Sequence, residues 1–382
     1  MERINPTRSL GRDDLAVFVA GPGLGEGVAV ALPGGGWLLI DGCRTGGNVG
    51  EDVPLRTIWS TWRRDATDTV KWMLLTHPHG DHVSGFAEVV DVVRPENIGM
   101  AGPPAPGRGL HAELSDWLTR QAPTEDSLAR DQLLAAANAI RSWERRTGRE
   151  VTAIHDGVRL VDAPASVIAL SPSPAFAASL AAESWPAFRD RANLLSIVLE
   201  VAHGGTRLLL TGDLPHRVAN SEHPEGWSRL VSAYPAACAP RGLKVPHHGS
   251  KDALHPAINA GVAPRGMWTT PFSKNREPLP RWADGEGLSQ LLAVDAVKLT
   301  APPRRPPTGH VRPGGEMTRA QLGAWLTAAP LAGFLADADD ISLPTISSAL
   351  SPVWLSVFND RGDVVREECG DAALLITSEA PA

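Results

Sequence analysis

Cysteine is scarce in this chain of 382 residues: Cys43, Cys238 and Cys369 stand far apart, are odd in number and form no Cys-x-x-Cys pair. That excludes a disulfide framework and a thiolate zinc site, and it fits a reducing compartment. Long apolar runs are also lacking. Met1 to Asp14 mix charges of both signs without an apolar centre, and no later run approaches the length of a membrane span, so the expectation is a soluble, cytoplasmic protein without membrane association. Nor is there an excess of positive charge. The formal net charge of -7 argues against a uniformly basic nucleic-acid binder and leaves room only for a local basic groove. What remains is ordinary globular composition, 43% hydrophobic, enough for a buried core in one large domain or two. No internal repeat is visible.

The chemistry-bearing residues are concentrated in Thr76-His77-Pro78-His79-Gly80-Asp81-His82, directly after the apolar run Val70 to Leu75. Imidazole nitrogen and carboxylate oxygen at the end of a strand are donors that a zinc-like divalent ion prefers. His77 and His79 alternate by two, so an extended backbone sends both rings to one side. Asp81 and His82 follow where the loop should tighten into a helix and can face a second ion. The bland alternative is a histidine-rich surface loop.

Around this loop the chain reads as alternating elements. Ala16 to Val19, Val28 to Leu32 and Trp37 to Ile40 are short apolar runs, the last two joined by Gly34-Gly35-Gly36. Val83 to Val93 has helical spacing and stops before Pro95. Residues 102–150 read as a helical insertion, with patterns over 111–120 and 124–146, Thr124 as N-cap and an apolar stripe of Leu133, Ala137 and Ile140. Val158 to Val161, Val167 to Leu170, Leu194 to Val201 and Arg207 to Leu210 read as strands of a second sheet. Residues 271–344, rich in proline and glycine, read as a loop-rich insertion with one helix around 318–328. Val353 to Phe358 and Asp363 to Arg366 look like a hairpin that Ala372 to Thr377 extends.

The histidine loop resembles the HxHxDH motif of the metallo-β-lactamase superfamily, and further matches follow in order. Leu208-Leu209-Leu210-Thr211-Gly212-Asp213 looks like the strand that delivers a metal-bridging aspartate. Leu243-Lys244-Val245-Pro246-His247-His248-Gly249-Ser250 looks like the strand and loop that deliver the last histidine. Gly25 to Val30 with Trp37 to Gly42 resembles the opening hairpin of one branch, the soluble hydrolase domain of competence-type DNA-uptake proteins, which also carries His-His-Gly-Ser. The likeness spans roughly Val17 to Asn275. It implies a single α+β domain over 1–382, an αββα sandwich with its metal site at one edge.

The resemblance also implies two divalent ions, zinc or manganese: one on His77 and His79, one on Asp81, His82 and His247, with Asp213 as the bridge. Between such ions a water is activated as the nucleophile, so no protein nucleophile is required. Asp81, Asp213 and His248 are then the catalytic candidates; His248 either donates a proton, binds substrate or orients His247. The chain departs from the pattern in lacking a further first-site histidine, since His155 and His203 read as surface or turn residues. Asn193 and Ser196 match an Asn and a Ser of the competence-type branch and are expected to orient substrate or water. Asp41 braces the metal loop on this reading, while Lys251, Lys274 and Arg141, Arg145, Arg146 and Arg149 are either phosphate contacts or a solvated face. Ser273-Lys274-Asn275 is followed by Arg276-Glu277-Pro278, without the Gly-His-Pro of that branch. Trp59, Trp62 and Trp72 read as core. The expected activity is a metal-dependent phosphodiesterase or nuclease with a nucleic acid or other phosphodiester as its partner. Hydrolysis of a lactone, thioester or other small ester and a non-catalytic interaction module are the alternatives. No protein partner is legible.

Overall fold

Leu15–Ala20 is buried at every residue, which a strand can be only if both of its faces are covered. In the computed structural model it lies within a sheet of nine described strands. Their order is Glu2–Arg3, Val364–Cys369, Val353–Phe358, Leu15–Ala20, Glu26–Leu32, Gly36–Gly42, Thr69–Leu75, Asn97–Ala101 and Thr152–Ile154. A second sheet runs Glu316–Thr318, Leu374–Thr377, Val297–Leu299, Met267–Thr269, Gly242–Lys244, Thr206–Leu210, Val198–His203, Ser166–Ser171 and Arg159–Val161. The described residues are 2–21, 25–45, 53–102, 127–181, 191–218, 221–262, 266–272, 279–281, 287–294, 296–301, 316–318, 320–321, 350 and 352–377.

The sheets face one another. Trp268 of the second sheet packs edge-on against Phe358 of the first, with ring centroids 6.3 Å apart, and its Nε1 donates to Ser356 Oγ at 3.2 Å. Helices cover the outer faces. Pro54–Trp62 buries Leu55, Ile58, Trp59 and Trp62, an i, i+3, i+4, i+7 stripe, and Trp62 reaches Phe18 at 4.9 Å between centroids. Ser127–Thr147 lies over the same sheet, and its buried Trp143 donates Nε1–H to Pro95 O at 2.8 Å. Trp227–Ala233 covers the other sheet through Trp227 and Leu230. The α+β sandwich expected from the motifs is therefore present.

Several sequence expectations change in detail. The helix expected over Val83 to Val93 is Phe86–Val93, separated from a short helix Gly80–Val83 by Gly85 at a left-handed φ of 80°. Residues 271–344 are not only loop: Val297–Leu299 is a fully buried strand of the second sheet, too short between its flanks to show a period. Leu374–Thr377 does not extend the preceding hairpin but crosses to the second sheet and pairs antiparallel with Val297–Leu299. Trp59 and Trp62 are buried as expected; Trp72 is half-buried and donates to Leu160 O at 2.9 Å. The helix expected over 111–120, the Thr124 cap, the stretch Ser273 to Pro278 with Lys274, and most of the helix expected over 318–328 lie outside the described residues.

Candidate metal centre

The loops that carry the motif residues leave the carboxyl ends of strands in both sheets. Gly36–Gly42 carries Asp41 next to its end, Thr69–Leu75 feeds His77 to His82, Thr206–Leu210 feeds Asp213, and Gly242–Lys244 feeds His247 and His248. The first two strands run parallel, as do the last two, so all four loops emerge on one edge of the sandwich. Three consecutive left-handed residues, His247 at φ 47°, His248 at 52° and Gly249 at 76°, turn the last loop. For the histidines that conformation costs roughly 1–2 kcal/mol each, and such strain gathers at functional sites. Gly212 is also left-handed at φ 50°, and a Cβ there would stand 3.1 Å from Ser196 Cβ and 3.2 Å from Thr76 Cβ. The approach of the Asp213 loop to the histidine loop thus depends on glycine.

Asp213, 1% exposed, stands at the middle of the cluster. Its Oδ2 lies 3.3 Å from His82 Nε2, 3.9 Å from His248 Nε2, and 4.0 Å from both His77 Nε2 and His247 Nε2. Asp81 Oδ2 is 3.1 Å from His248 Nε2 and 3.8 Å from His82 Nε2. On the other flank His77 Nε2 and His79 Nδ1 are 3.1 Å apart. Tetrahedral zinc with bonds of 2.0–2.1 Å separates neighbouring donors by roughly 3.3 Å, a spacing close to those among Asp81, His82, Asp213 and His248.

The far side of each ring fixes its tautomer. His82 Nδ1–H donates to Asp41 Oδ2 at 2.7 Å, and His248 Nδ1–H to Thr270 O at 2.9 Å. His77 Nδ1 lies 3.1 Å from Thr76 Oγ1, whose own proton goes to Asp41 Oδ2 at 2.7 Å. Each of the three rings therefore turns an unprotonated Nε2 toward Asp213 when neutral. His82 Nε2, Asp213 Oδ1 and His247 Nδ1 are buried without a hydrogen-bond partner, the state expected of polar atoms that await another ligand. Asp81, His82, Asp213 and His248 together can hold a metal ion. The donor set fits divalent ions.

The structure departs from the sequence expectation at the histidine pair. His248 joins Asp81 and His82, the place expected for His247. His247 lies outside that group; its Nε2 is 4.0 Å from Asp213 Oδ2 and 3.4 Å from Asn193 Nδ2. Both residues have a left-handed backbone, which no spacing rule anticipates. Ser196 is buried, and its Oγ accepts the Asp213 N–H at 3.0 Å. His155 and His203 belong to none of the metal-donor groups among the described residues. Arg149 is tied to Glu96 O and to Asn97 Oδ1 at 3.3 Å, while Arg145 and Arg146 are exposed.

Sequence reasoning missed the layer beneath. Lys244, 1% exposed, pairs with Glu26 and donates to Gly212 O at 3.0 Å, with Asp213 Oδ1 at 3.8 Å. Glu26 Oε2 accepts from Thr270 Oγ1 at 2.7 Å and lies 3.5 Å from His248 Nδ1. The clue was charge inside apolar runs: Glu26 before Val28 to Leu32, and Lys244 between Leu243 and Val245.

The electrostatics follow from this burial. Burial pushes His82 down, but the carboxylates of Asp213, Asp41 and Asp81 outweigh it and hold the imidazole well above its ordinary value. His248 is raised in the same way, against burial, by Asp213, Asp81 and Glu26. Burial dominates at His77 and His247 and holds both below the ordinary value. For Asp213 burial works upward, yet His82, His248 and His247 hold its carboxyl well below the usual range.

Among known proteins, the model of the metallo-beta-lactamase superfamily matches residues 22–162. No curated protein matches the chain. Similar solved structures include the metallo-beta-lactamase SMB-1 bound to 2-mercaptoethanesulfonate, at 16% identity, 60% of this chain, 75% of that one and TM-score 0.31. The subclass B3 metallo-beta-lactamase BJP-1 of Bradyrhizobium japonicum is 17% identical over 59% of this chain and 73% of that one, with TM-score 0.31. CmlA, a diiron beta-hydroxylase from Streptomyces venezuelae, is 14% identical over 62% and 35%, with TM-score 0.32. The fold is that of the metallo-beta-lactamases, and the family model matches the part of the chain that holds the His77 to His82 loop.

Proposed function

We propose that this protein is a two-metal hydrolase of phosphodiesters, with nucleic acid as the substrate class. The observation that carries the two-metal reading is Asp213 Oδ2, within 4.0 Å of four imidazole nitrogens, more than one ion accommodates beside Asp81 and His79. On this reading His77, His79 and His247 hold one divalent ion and Asp81, His82 and His248 the other, with Asp213 between them. His247 then fills the first-site position that the sequence left short of a histidine. Ions held by these residues would lower the pKa of a water and neutralise charge developing on the substrate oxygens.

The chain's own residues prepare that chemistry. Asp41 and Thr270 keep His82 and His248 in the tautomers that present Nε2. Ser196 fixes the Asp213 backbone. His247, 32% exposed at its side chain, is the most open of these histidines toward Asp213 and is placed to meet substrate as well as metal. The phosphodiester preference rests on the likeness to the competence-type branch, on Lys251 beside the His-His-Gly-Ser loop and on the arginines after 140. The net charge of -7 favours the second reading, a small neutral lactone or thioester.

The deciding experiment incubates manganese-loaded protein with single- and double-stranded DNA, RNA, a lactone and a thioester at low and high salt. Cleavage of nucleic acid that falls steeply with salt is expected, because bound phosphates release counterions. Turnover of the lactone or thioester alone, unaffected by salt, would overturn the proposal in favour of small-ester hydrolysis.

A further inference from the structure

Three residues past Asp213 the chain builds a different cluster. One donor atom from each of His216, Glu222 and His255 lies within 4.8 Å of the others. The rings of His216 and His255 meet edge to face with centroids 4.6 Å apart. His216 is 8% exposed, and its Nδ1 is buried with no hydrogen-bond partner. A polar atom in that position is costly unless something outside the chain completes it. We infer that His216, Glu222 and His255 form a zinc-binding site distinct from the centre around Asp213.

The backbone holds all three donors in place without the ion. The amides of His216 and Arg217 both donate to Asp252 O at 2.8 Å, which ties the stretch after Asp213 to the stretch before His255. Glu222 lies in Ser221–Glu222, paired antiparallel with Arg217–Val218, and the His223 amide returns to His216 O at 3.2 Å. Ser228 donates to Glu222 Oε1, leaving Oε2 for a ligand. Two imidazoles and one carboxylate form a set that zinc accepts with water in the fourth position, and nitrogen donors disfavour magnesium and calcium. Burial holds His216 and His255 below the ordinary histidine value, so both rings are neutral near pH 7 and need shed no proton.

One contact opposes the ion. The Ala257 amide donates to His255 Nδ1 at 3.1 Å, so a zinc ion on either nitrogen of that ring must displace this bond. It is a single bond at a half-exposed helix start, whereas the orphaned Nδ1 of His216 is buried. A plain stacked histidine pair beside a surface glutamate would explain the ring contact but leaves that nitrogen unaccounted for. Zinc here would join the loop that presents Asp213 to the segment that follows His248.

The test counts zinc per full-length chain by elemental analysis after saturation and dialysis, in the wild type, His255→Gln and Glu222→Gln. The same comparison is repeated in an Asp213→Ala background. Both substitutions fall on residues that are not buried, and circular dichroism verifies the fold. Loss of one equivalent in each variant, in both backgrounds, is expected. A wild type that holds a single equivalent, lost in His255→Gln but kept in Asp213→Ala, supports this site while refuting the two-metal reading. Unchanged stoichiometry in both variants overturns the inference, whatever the centre around Asp213 binds.

Discussion

Asp41 accepts His82 Nδ1–H on the oxygen that also takes the Thr76 hydroxyl, both at 2.7 Å, while its other oxygen takes the Thr76 amide at 2.7 Å. One buried carboxylate thus sets the tautomer of a metal-facing histidine and pins the start of its loop. Asp41→Asn removes the anion and must turn one donor toward a donor. Outer partners of this kind are worth about 10- to 100-fold in metal affinity. Isothermal titration with zinc is expected to show a loss in that range, with the fold retained; unchanged affinity would contradict the bracing role.

Asp213→Ala is expected to reduce hydrolysis to the background of metal-free protein, because the carboxylate stands between both donor groups. The check is turnover beside a melting curve. Wild-type turnover in a folded variant would remove Asp213 from the centre.

Metal binding should release protons. His82 and His248 titrate above the ordinary histidine value of about 6.5, so near neutrality the metal-free protein holds protons that an ion must displace, whereas His77 and His247 are already neutral. Zinc affinity is expected to rise with pH above about 6.5, and titrations in buffers of different ionisation enthalpy report the proton number. In the metal-free protein the sign reverses. Raised histidine values contribute stability that is complete below about 6.5 and lost as pH climbs through the raised values. The depressed Asp213 contributes stability that is lost as pH falls below the carboxylate range. Metal-free stability that keeps rising above neutrality would contradict this picture.

Lys244→Met leaves Glu26, 1% exposed, without its cation, and breaking a buried pair from one side costs about 3–5 kcal/mol. Urea denaturation should show that loss. The double variant Glu26→Gln with Lys244→Met is expected to recover a large part of it, since no uncompensated charge remains.

The strands of the first sheet were legible because Leu15–Ala20, Glu26–Leu32 and Gly36–Gly42 are apolar runs broken by glycine. The metal loop was legible because His77, His79, Asp81 and His82 fall within six consecutive positions. What stayed hidden is what contiguity does not encode. Nothing in Pro-His-His-Gly announces the positive φ of His247 and His248. Glu26 and Lys244 carry no sign in the sequence that two distant strands pair them. His216 and His255 lie 39 positions apart and share no motif. Val297–Leu299 is three residues long, below the length at which an alternation shows.

The pairing of Leu15–Ala20 with Val353–Phe358 sets Val19 opposite Trp354, partners separated by nearly the whole chain. A ribosome adding roughly 5–20 residues per second needs on the order of 20–70 s to make the intervening chain. For that time the outer edge of an entirely apolar strand has no partner, and open apolar edges invite pairing with other chains. The opening strands of the nascent protein are therefore the segment a chaperone must shield, and slowing synthesis after the metal loop should raise aggregation without altering the finished site.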